Sequence, residues 1–293
     1  MTSDVLNDSK ITRLIEEALV EDIGLGDITT EAIVPSDVLG RADILVKARG
    51  VIAGLEVAGL VFRHVDPAVS LTPLAKEGAE VESGSIVASI EGPLAGLLKA
   101  ERTALNFLQR MSGIATLTHA FVKAVEGTRA RITDTRKTVP GFRILDKLAV
   151  EVGGGVNHRF GLDDMVLIKD NHILAAGGIS AAIEKCLRFL RASNLNIKVE
   201  VETRNFDEVR EVLKHQGVHR IMLDNFPIPE MHRTIQLIDH TIETEASGNV
   251  SLENVLSIAE TGVDYISIGR LTHSSKALDI SLEVRVPISP PEP

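Results

Sequence analysis

The sequence has no tryptophan, one tyrosine and eight phenylalanines in 293 residues, so it offers few flat side chains on which single-stranded nucleic acid could stack. It also lacks a basic excess: 31 Lys and Arg stand against 41 Asp and Glu, a formal charge of −10. Both absences disfavour a nucleic-acid partner. The single cysteine, Cys186, rules out an internal disulfide and a thiolate metal cluster and points to a reducing compartment. It lies in the amphipathic stretch Ala181–Leu190 and reads as a small core residue rather than a nucleophile. No apolar run approaches the roughly 18 residues a membrane span needs. The first thirty residues carry Asp4, Asp8, Glu16, Glu17, Glu21, Asp22 and Asp27, unlike a secretory leader, so a cytoplasmic or organelle-matrix location without membrane contact is expected. The Walker pattern and the GxGxxG pattern are also missing, which disfavours nucleoside triphosphates and dinucleotides.

What is present falls into two rhythms. Residues 9–20 put Ile11, Leu14, Ile15 and Ala18 on one helical face behind a Ser or Asp cap. From 40 to 92, short strand-like runs such as Ala42–Lys47 and Ser85–Ile90 are broken by Gly50, Gly54, Gly78, Gly84 and Gly92, as in a compact α+β domain. The stretch Glu77–Gly84 is weakly similar to the hairpins of biotin or lipoate carriers but has no Lys at a hairpin tip, and plain strands and turns are the better reading. After a helical segment around 100–124, strands and helices alternate. The predicted strands are 130–134, 165–168, 197–201, 220–224, 241–246 and 265–269, and helices are predicted at 180–192, 205–216, 228–238 and 252–261. Such βα units imply a parallel sheet, either doubly wound or a barrel. The tail 287–293, rich in proline, is expected to be disordered.

The residues at the carboxyl ends of these strands carry the functional signal, because in a barrel those ends converge on one face. Arg136, Lys137, His158, Arg159 and Lys169 form a cationic half suited to a polyanionic substrate, with Arg offering forked bonds to carboxylates. Glu200, which stands with Glu202 near the end of the third predicted strand, and Asp224 form an anionic half suited to Mg²⁺, to ribose hydroxyls or to a developing carbocation. Ser247-Gly248-Asn249, read as opening a helix at Ser251 or Leu252, and Gly269 offer a phosphate cradle. Gly153-Gly154-Gly155 is either a flexible loop or a tight bend that lets His158 and Arg159 approach a ligand. His158 and His172 bracket Asp163, Asp164 and Asp170, but the spacing matches no common zinc pattern.

The stretches Thr135–Arg143, Gly153–Leu162, Leu167–His172, Val199–Glu202, Leu223–Asn225 and Gly262–Gly269 together resemble the quinolinate phosphoribosyltransferases, the carboxylating nicotinate-nucleotide pyrophosphorylases. The resemblance extends from about Glu21–Thr30 to Leu278–Ile280. It implies an open parallel α/β barrel with an N-terminal α/β sandwich domain: residues 1–110 joined by 276–286 as the sandwich, and 111–275 as the catalytic barrel. It implies transfer of a phosphoribosyl group from phosphoribosyl pyrophosphate to quinolinate with loss of CO₂, assisted by Mg²⁺. Quinolinate would be held by Arg102, Thr135, Arg136, His158, Arg159 and Lys169, and a homodimer, or a larger assembly built from it, is implied because Arg102 would reach in from the neighbouring subunit. The sugar pyrophosphate would meet Lys137, Asn171, Glu200, Asp224, Asn225, Ser247, Gly248, Asn249, Gly269 and His273. Lys137, Lys169, Glu200 and Asp224 would be catalytic, and Glu200 and Asp224 would lie nearest a Mg²⁺ carried mostly by substrate and water.

Three other readings are weaker. A related protein linked to molybdenum transport departs from this pattern at Asn157-His158-Arg159 and Lys169-Asp170-Asn171, which stand intact here. A nicotinate-using enzyme would not need so many cations for one carboxylate. A non-catalytic sensor of phosphate ligands could lose Lys137, Glu200 or Asp224, and all three are present.

Overall fold

A computed structural model describes residues 8–288. The described residues form two compact units: one holds the chain up to His119, Thr138–Gly154 and the part from Leu271 on, the other Ala120–Lys137 and Gly155–Arg270.

The first unit opens with α1 (Ser9–Ile23), whose first turn is closed by the Asp8 carboxylate accepting the Lys10 N–H at 2.8 Å. Ile11, Ile15 and Leu19, spaced by four, are its buried face. After α2 (Ile28–Ile33) comes an antiparallel sheet of β1 (Leu39–Val46), β3 (Ser70–Pro73), β5 (Ile86–Pro93) and β12 (Ile280–Ile288), in the order β12-β1-β5-β3. A small ladder joins β2 (Gly50–Val51) to β4 (Glu80–Val81). Glu77, from the carrier-like stretch, has a structural role. Its carboxylate accepts the N–H groups of Gly54 and Glu56 at 2.8 and 3.3 Å and so caps α3 (Leu55–Val65). The C-terminal strand β12 includes Pro287 and Ile288, two residues of the stretch expected to be disordered; the rest of that stretch, 289–293, lies outside the described residues.

The long helix α4 (Leu94–Ala124) buries Leu97, Ala100, Leu108, Met111 and Ile114. Residues 138–154, read from the sequence as part of the barrel, belong to the first unit, and α5 (Arg143–Val152) explains why. Its Leu145, Leu148, Ala149 and Val150 are buried, and Arg110 of α4 forks onto the buried Asp146 at 2.9 and 2.8 Å. Gly153, at the end of α5, serves packing rather than flexibility, since an added Cβ would stand 2.5 Å from the carbonyl oxygen of Ala115.

The second unit is a six-stranded, all-parallel sheet of β6 (Arg131–Thr133), β7 (Val166–Ile168), β8 (Val199–Thr203), β9 (Arg220–Asp224), β10 (Glu243–Ser247) and β11 (Tyr265–Ser267). Its order is β6-β11-β10-β9-β8-β7. The first strand pairs with the last, and every strand pairs with its neighbour in the chain except β6 with β7. The sheet is thus a barrel left open at one seam. Val156 makes a parallel bridge to Thr133 and lines the β6 edge of that seam. The helices between strands are α6 (Asp170–Ala176), α7 (Ile179–Ala192), α8 (Phe206–Val212), α9 (Ile228–Ile238) and α10 (Val255–Ala259), followed by the short α11 (Arg270–His273). Their apolar stripes lie buried, as with Ile179, Ala182, Ile183 and Leu190 of α7. No helix among the described residues is long and apolar enough to cross a membrane.

Gly153→Ala should lower stability by about 1–3 kcal/mol through overpacking between α4 and α5. Chemical denaturation measures it, and an unchanged midpoint would contradict the packing role.

Candidate active site

Along a parallel strand, alternate residues face the same side, and hydrogen-bonded neighbours share that side. The register pairs Glu200 with Arg220, Arg220 with Glu243, and Glu245 with Met222, so the barrel strands carry charged residues into one buried layer. Glu200 and Glu245 are both 0% exposed. The imidazole Nε2 of His158 stands 3.0 Å from Glu200 and 3.4 Å from Glu245. Arg220 reaches Glu245 at 2.9 Å and Glu243 at 3.1 Å, and its guanidinium lies 3.8 Å above the ring of Tyr265. His158 arrives from the segment at the open seam, where its own N–H is accepted by the buried Asp134 at 2.7 Å.

Burial penalises charge on every member of this cluster, and the neighbours decide who keeps it. Burial pulls His158 down, but the two carboxylates at Nε2 outweigh it and raise the ring to about 9. The Arg159 amide, 2.8 Å from Nδ1, opposes the second proton. The two carboxylates favour the protonated ring, while a proton on Nδ1 would cost the Arg159 N–H its acceptor. Burial and the nearby Glu245 push Glu200 up. Glu245 is also penalised by burial, yet His158 and Arg220 hold it below the usual carboxylate range. The two carboxylates therefore divide the work: Glu245 keeps its charge and Glu200 is the readier to take a proton.

Nearer the carboxyl ends of the strands, Lys169, which begins α6, meets Glu202 at 2.8 Å. Arg159 donates to the Met165 carbonyl at 3.1 Å, and burial followed by the charge of Arg136 lowers it. The positive charge of Arg136 is thus felt at Arg159, and an anion bound there would offset both. Thr135 accepts the Lys137 N–H at 3.1 Å. Asn171 donates its N–H to Asp170 at 2.7 Å and is exposed.

The ends of β9 and β10 interlock. Asn225 donates to Asp224 at 2.9 Å and accepts from Asn249 at 2.9 Å, and its backbone N–H bonds the Ser247 carbonyl at 2.8 Å. Asn225, Gly248 and Asn249 all take left-handed backbones, with φ of 56°, 94° and 50°. A Cβ on Gly248 would run into the Asn225 amide.

Several expectations change on this geometry. Glu200 is not at a strand's carboxyl end: β8 begins two residues later than predicted, so Glu200 is its second residue and lies sealed beneath the site, while Glu202 takes the outer position. His158 turns Nε2 toward Glu200 and Glu245 instead of presenting it at the outer end, where Lys169 and Glu202 meet. The helix after Ser247-Gly248-Asn249 starts only at Val255, and the Ser251 N–H is already accepted by Asn254 at 2.8 Å. Gly269 and Arg270 end the second unit. His273, exposed beside Ser274, and Arg102, exposed on α4, belong to the first. Among the described residues, the three-ligand group suited to a metal is His158, Glu200 and Glu245, not the aspartates around His172. Arg220 already balances that group. Cys186 is half-buried, lines a cavity of about 340 Å³ with Arg159, Val166, Ile168 and His172, and has its thiol pushed up by burial, against a nucleophilic role. Glu245 and Arg220 were missed from the sequence.

The raised His158 has a measurable consequence. Between 6.5 and about 9 the folded chain holds a proton that the unfolded chain releases, so this stabilisation is full below pH 6.5 and lost as pH climbs to about 9. Glu200, also raised, acts with the same sign at lower pH. Thermal melting should fall over pH 6.5–9, and His158→Gln should flatten that fall; an unchanged slope would refute the imidazolium.

Comparison with known proteins fits this geometry. Residues 27–112 match the family described as "Quinolinate phosphoribosyl transferase, N-terminal domain", and residues 114–283 its C-terminal domain. The chain is 46% identical over 286 residues to "Quinolinate phosphoribosyltransferase [decarboxylating] 1b" of Nicotiana tabacum, covering 92% of this chain and 81% of the relative. It is 40% identical over 279 residues to "Probable nicotinate-nucleotide pyrophosphorylase [carboxylating]" of Bacillus subtilis, covering 95% of each. The nicotinate-nucleotide pyrophosphorylase structure from Francisella tularensis superposes with a TM-score of 0.89 at 38% identity, covering 94% of this chain and 96% of that one. With both domains matched in order and the barrel reproduced, the chain belongs to the quinolinate phosphoribosyltransferase family.

Proposed function

We propose a division of labour among these residues for the reaction of this family, in which the enzyme transfers a phosphoribosyl group from phosphoribosyl pyrophosphate to quinolinate and releases pyrophosphate and CO₂, giving nicotinate mononucleotide for NAD biosynthesis. The observation that carries it is the half-buried Arg159, held by the Met165 carbonyl at 3.1 Å and feeling the positive charge of Arg136, with Lys169 meeting Glu202 at 2.8 Å at the strand ends. Quinolinate brings two adjacent carboxylates, and forked donors of this kind suit them. Thr135 orders the turn that presents Arg136 and Lys137. His158, turned to the carboxylates of Glu200 and Glu245, supports this set rather than contacting a quinolinate carboxylate.

The sugar pyrophosphate is assigned to the carboxyl ends of β9 and β10. Asp224 faces the ribose hydroxyls, steadied by Asn225, and the left-handed turn Gly248-Asn249 beside Ser247 brings backbone N–H groups toward the 5′-phosphate, with Asn171 and Gly269 as further contacts. Lys137 and Lys169 stabilise charge on the leaving pyrophosphate, and Asp224 and Glu202 offset the oxocarbenium-like ribose carbon. The pyridine nitrogen attacks that carbon; once quaternary, it stabilises the electron pair left on the neighbouring ring carbon as its bond to the carboxylate breaks and CO₂ departs, and that carbon then takes a proton from solvent. Asp224 and Glu202 supply hard oxygen donors, the kind Mg²⁺ prefers, but they are too few to enclose it, so the ion would take most of its ligands from pyrophosphate and water. When bound, Mg²⁺ neutralises the departing pyrophosphate.

Arg102, exposed on α4, is assigned to the site of a second copy in a homodimer. The cytoplasm is the proposed location, although relatives from Nicotiana and Arabidopsis are named mitochondrial and chloroplastic.

Purified protein given quinolinate, phosphoribosyl pyrophosphate and Mg²⁺ should yield nicotinate mononucleotide and CO₂ in equal amounts, with nicotinate inert. Arg159→Gln should raise KM for quinolinate by about two orders of magnitude, as loss of a charged pair costs about 2–5 kcal/mol. Product without CO₂, or turnover of nicotinate, would overturn the assignment. Arg102→Ala and Lys169→Ala chains, each inactive alone, should regain part of the activity when mixed, and no recovery would refute the shared site.

A further inference from the structure

Glu245 has no part in the proposed reaction scheme, yet it is among the most enclosed charges in the chain. We infer that Glu245 is a positioning residue for quinolinate recognition: locked by Arg220, it fixes the His158 ring and through it the course of the segment that carries Arg159. The inference rests on the reading of Arg159 as a carboxylate ligand.

The topology shows why such an anchor is needed. Arg159 lies on chain that runs along the open seam, where β6 and β7 are not paired and no strand ladder sets the backbone. Val156 bridges Thr133, and Asp134 accepts the His158 N–H at 2.7 Å. These contacts tie the backbone on one side; the side chain of His158 ties it on the other, reaching into the barrel interior to Glu200 at 3.0 Å and Glu245 at 3.4 Å. Of these two carboxylates, Glu245 is the one braced in turn. Arg220 holds it at 2.9 Å, and Arg220 is itself fixed by Glu243 at 3.1 Å and by the Tyr265 face at 3.8 Å. The chain of contacts therefore runs from three strands of the closed wall to the residue preceding Arg159. A guanidinium displaced by even about 1 Å loses a forked bond to a carboxylate, so anchoring of this kind acts on affinity without touching the ligand.

The test uses the full chain and direct binding by calorimetry, with quinolinate and phosphoribosyl pyrophosphate plus Mg²⁺ titrated separately. Glu245→Gln, which keeps the shape and removes the charge, should weaken quinolinate about tenfold or more and leave phosphoribosyl pyrophosphate within about twofold. The double variant with His158→Gln should bind quinolinate no more weakly than His158→Gln alone, because the two residues act in series. If Glu245→Gln does not fold, Arg220→Lys takes its place; it keeps the charge, loses the fork between Glu243 and Glu245, and should show the same selective loss for quinolinate. Unchanged quinolinate affinity, an equal loss for both ligands, or additive losses in the double variant would overturn the inference. Arg159→Gln separates the two levels. If that variant keeps its quinolinate affinity, the carboxylate reading falls and this inference with it; if it loses affinity while Glu245→Gln does not, only the positioning role falls.

Discussion

Two glutamates buried in a barrel interior cannot both remain charged without partners, and the pairing of Glu200 and Glu245 with His158 and Arg220 is the constraint around which the second unit is built. Removing one partner from such a cluster typically costs about 3–5 kcal/mol, because the charge left behind stays buried. The cluster uses residues of β8, β9 and β10 together with one from the chain beside β6, so it clamps the strands where the register alone leaves a seam. An apolar core of the same volume could be as stable, but it would not reach across to His158. The polar layer therefore joins stability to the placement of the residues above it.

The open seam has a chemical use. A closed barrel would bring β6 and β7 together and hold the intervening residues outside; here the chain bridges β6 at Val156 and carries Arg159 to where it feels the charge of Arg136. The cations then gather on one flank, with Lys169 on the first helix after β7, while Asp224 and the left-handed turn of Gly248 and Asn249 occupy the ends of β9 and β10. In the proposed scheme a dianionic pyridine and a sugar pyrophosphate would meet complementary partners on separate strands, and transfer between them would require positioning and charge more than any protein nucleophile.

Much of this was legible in the sequence. The strand at 220–224 and the helix at 228–238 match the prediction, and the outer-end residues Arg136, Lys169 and Asp224 stand where the carboxyl ends of the predicted strands place them. The depth of Glu200 was not legible, since a two-residue offset in β8 moves a residue from the outer end into the core, and strand ends depend on tertiary pairing. A signal for the buried layer did exist. Glu200 stands between Val199 and Val201, Arg220 before Ile221 and Glu245 before Ala246, in strands of a parallel sheet, whose two faces are both covered, and charges there must meet one another. Residues 138–154 fall within the C-terminal family domain, in agreement with the sequence reading, yet their contacts group them with the first unit; βα rhythm says nothing about which core a helix joins, and here the fork of Arg110 on Asp146 shows it.

The central claim is that the arginine pair receives the two carboxylates while His158 stays turned to the buried glutamates. A crystal structure of the chain with quinolinate at neutral pH tests it most directly. The account predicts carboxylate oxygens within hydrogen-bond reach of Arg136 and Arg159, with His158 Nε2 still facing Glu200 and Glu245. A quinolinate carboxylate seated on His158 Nε2, with the ring turned away from the glutamates, would contradict it.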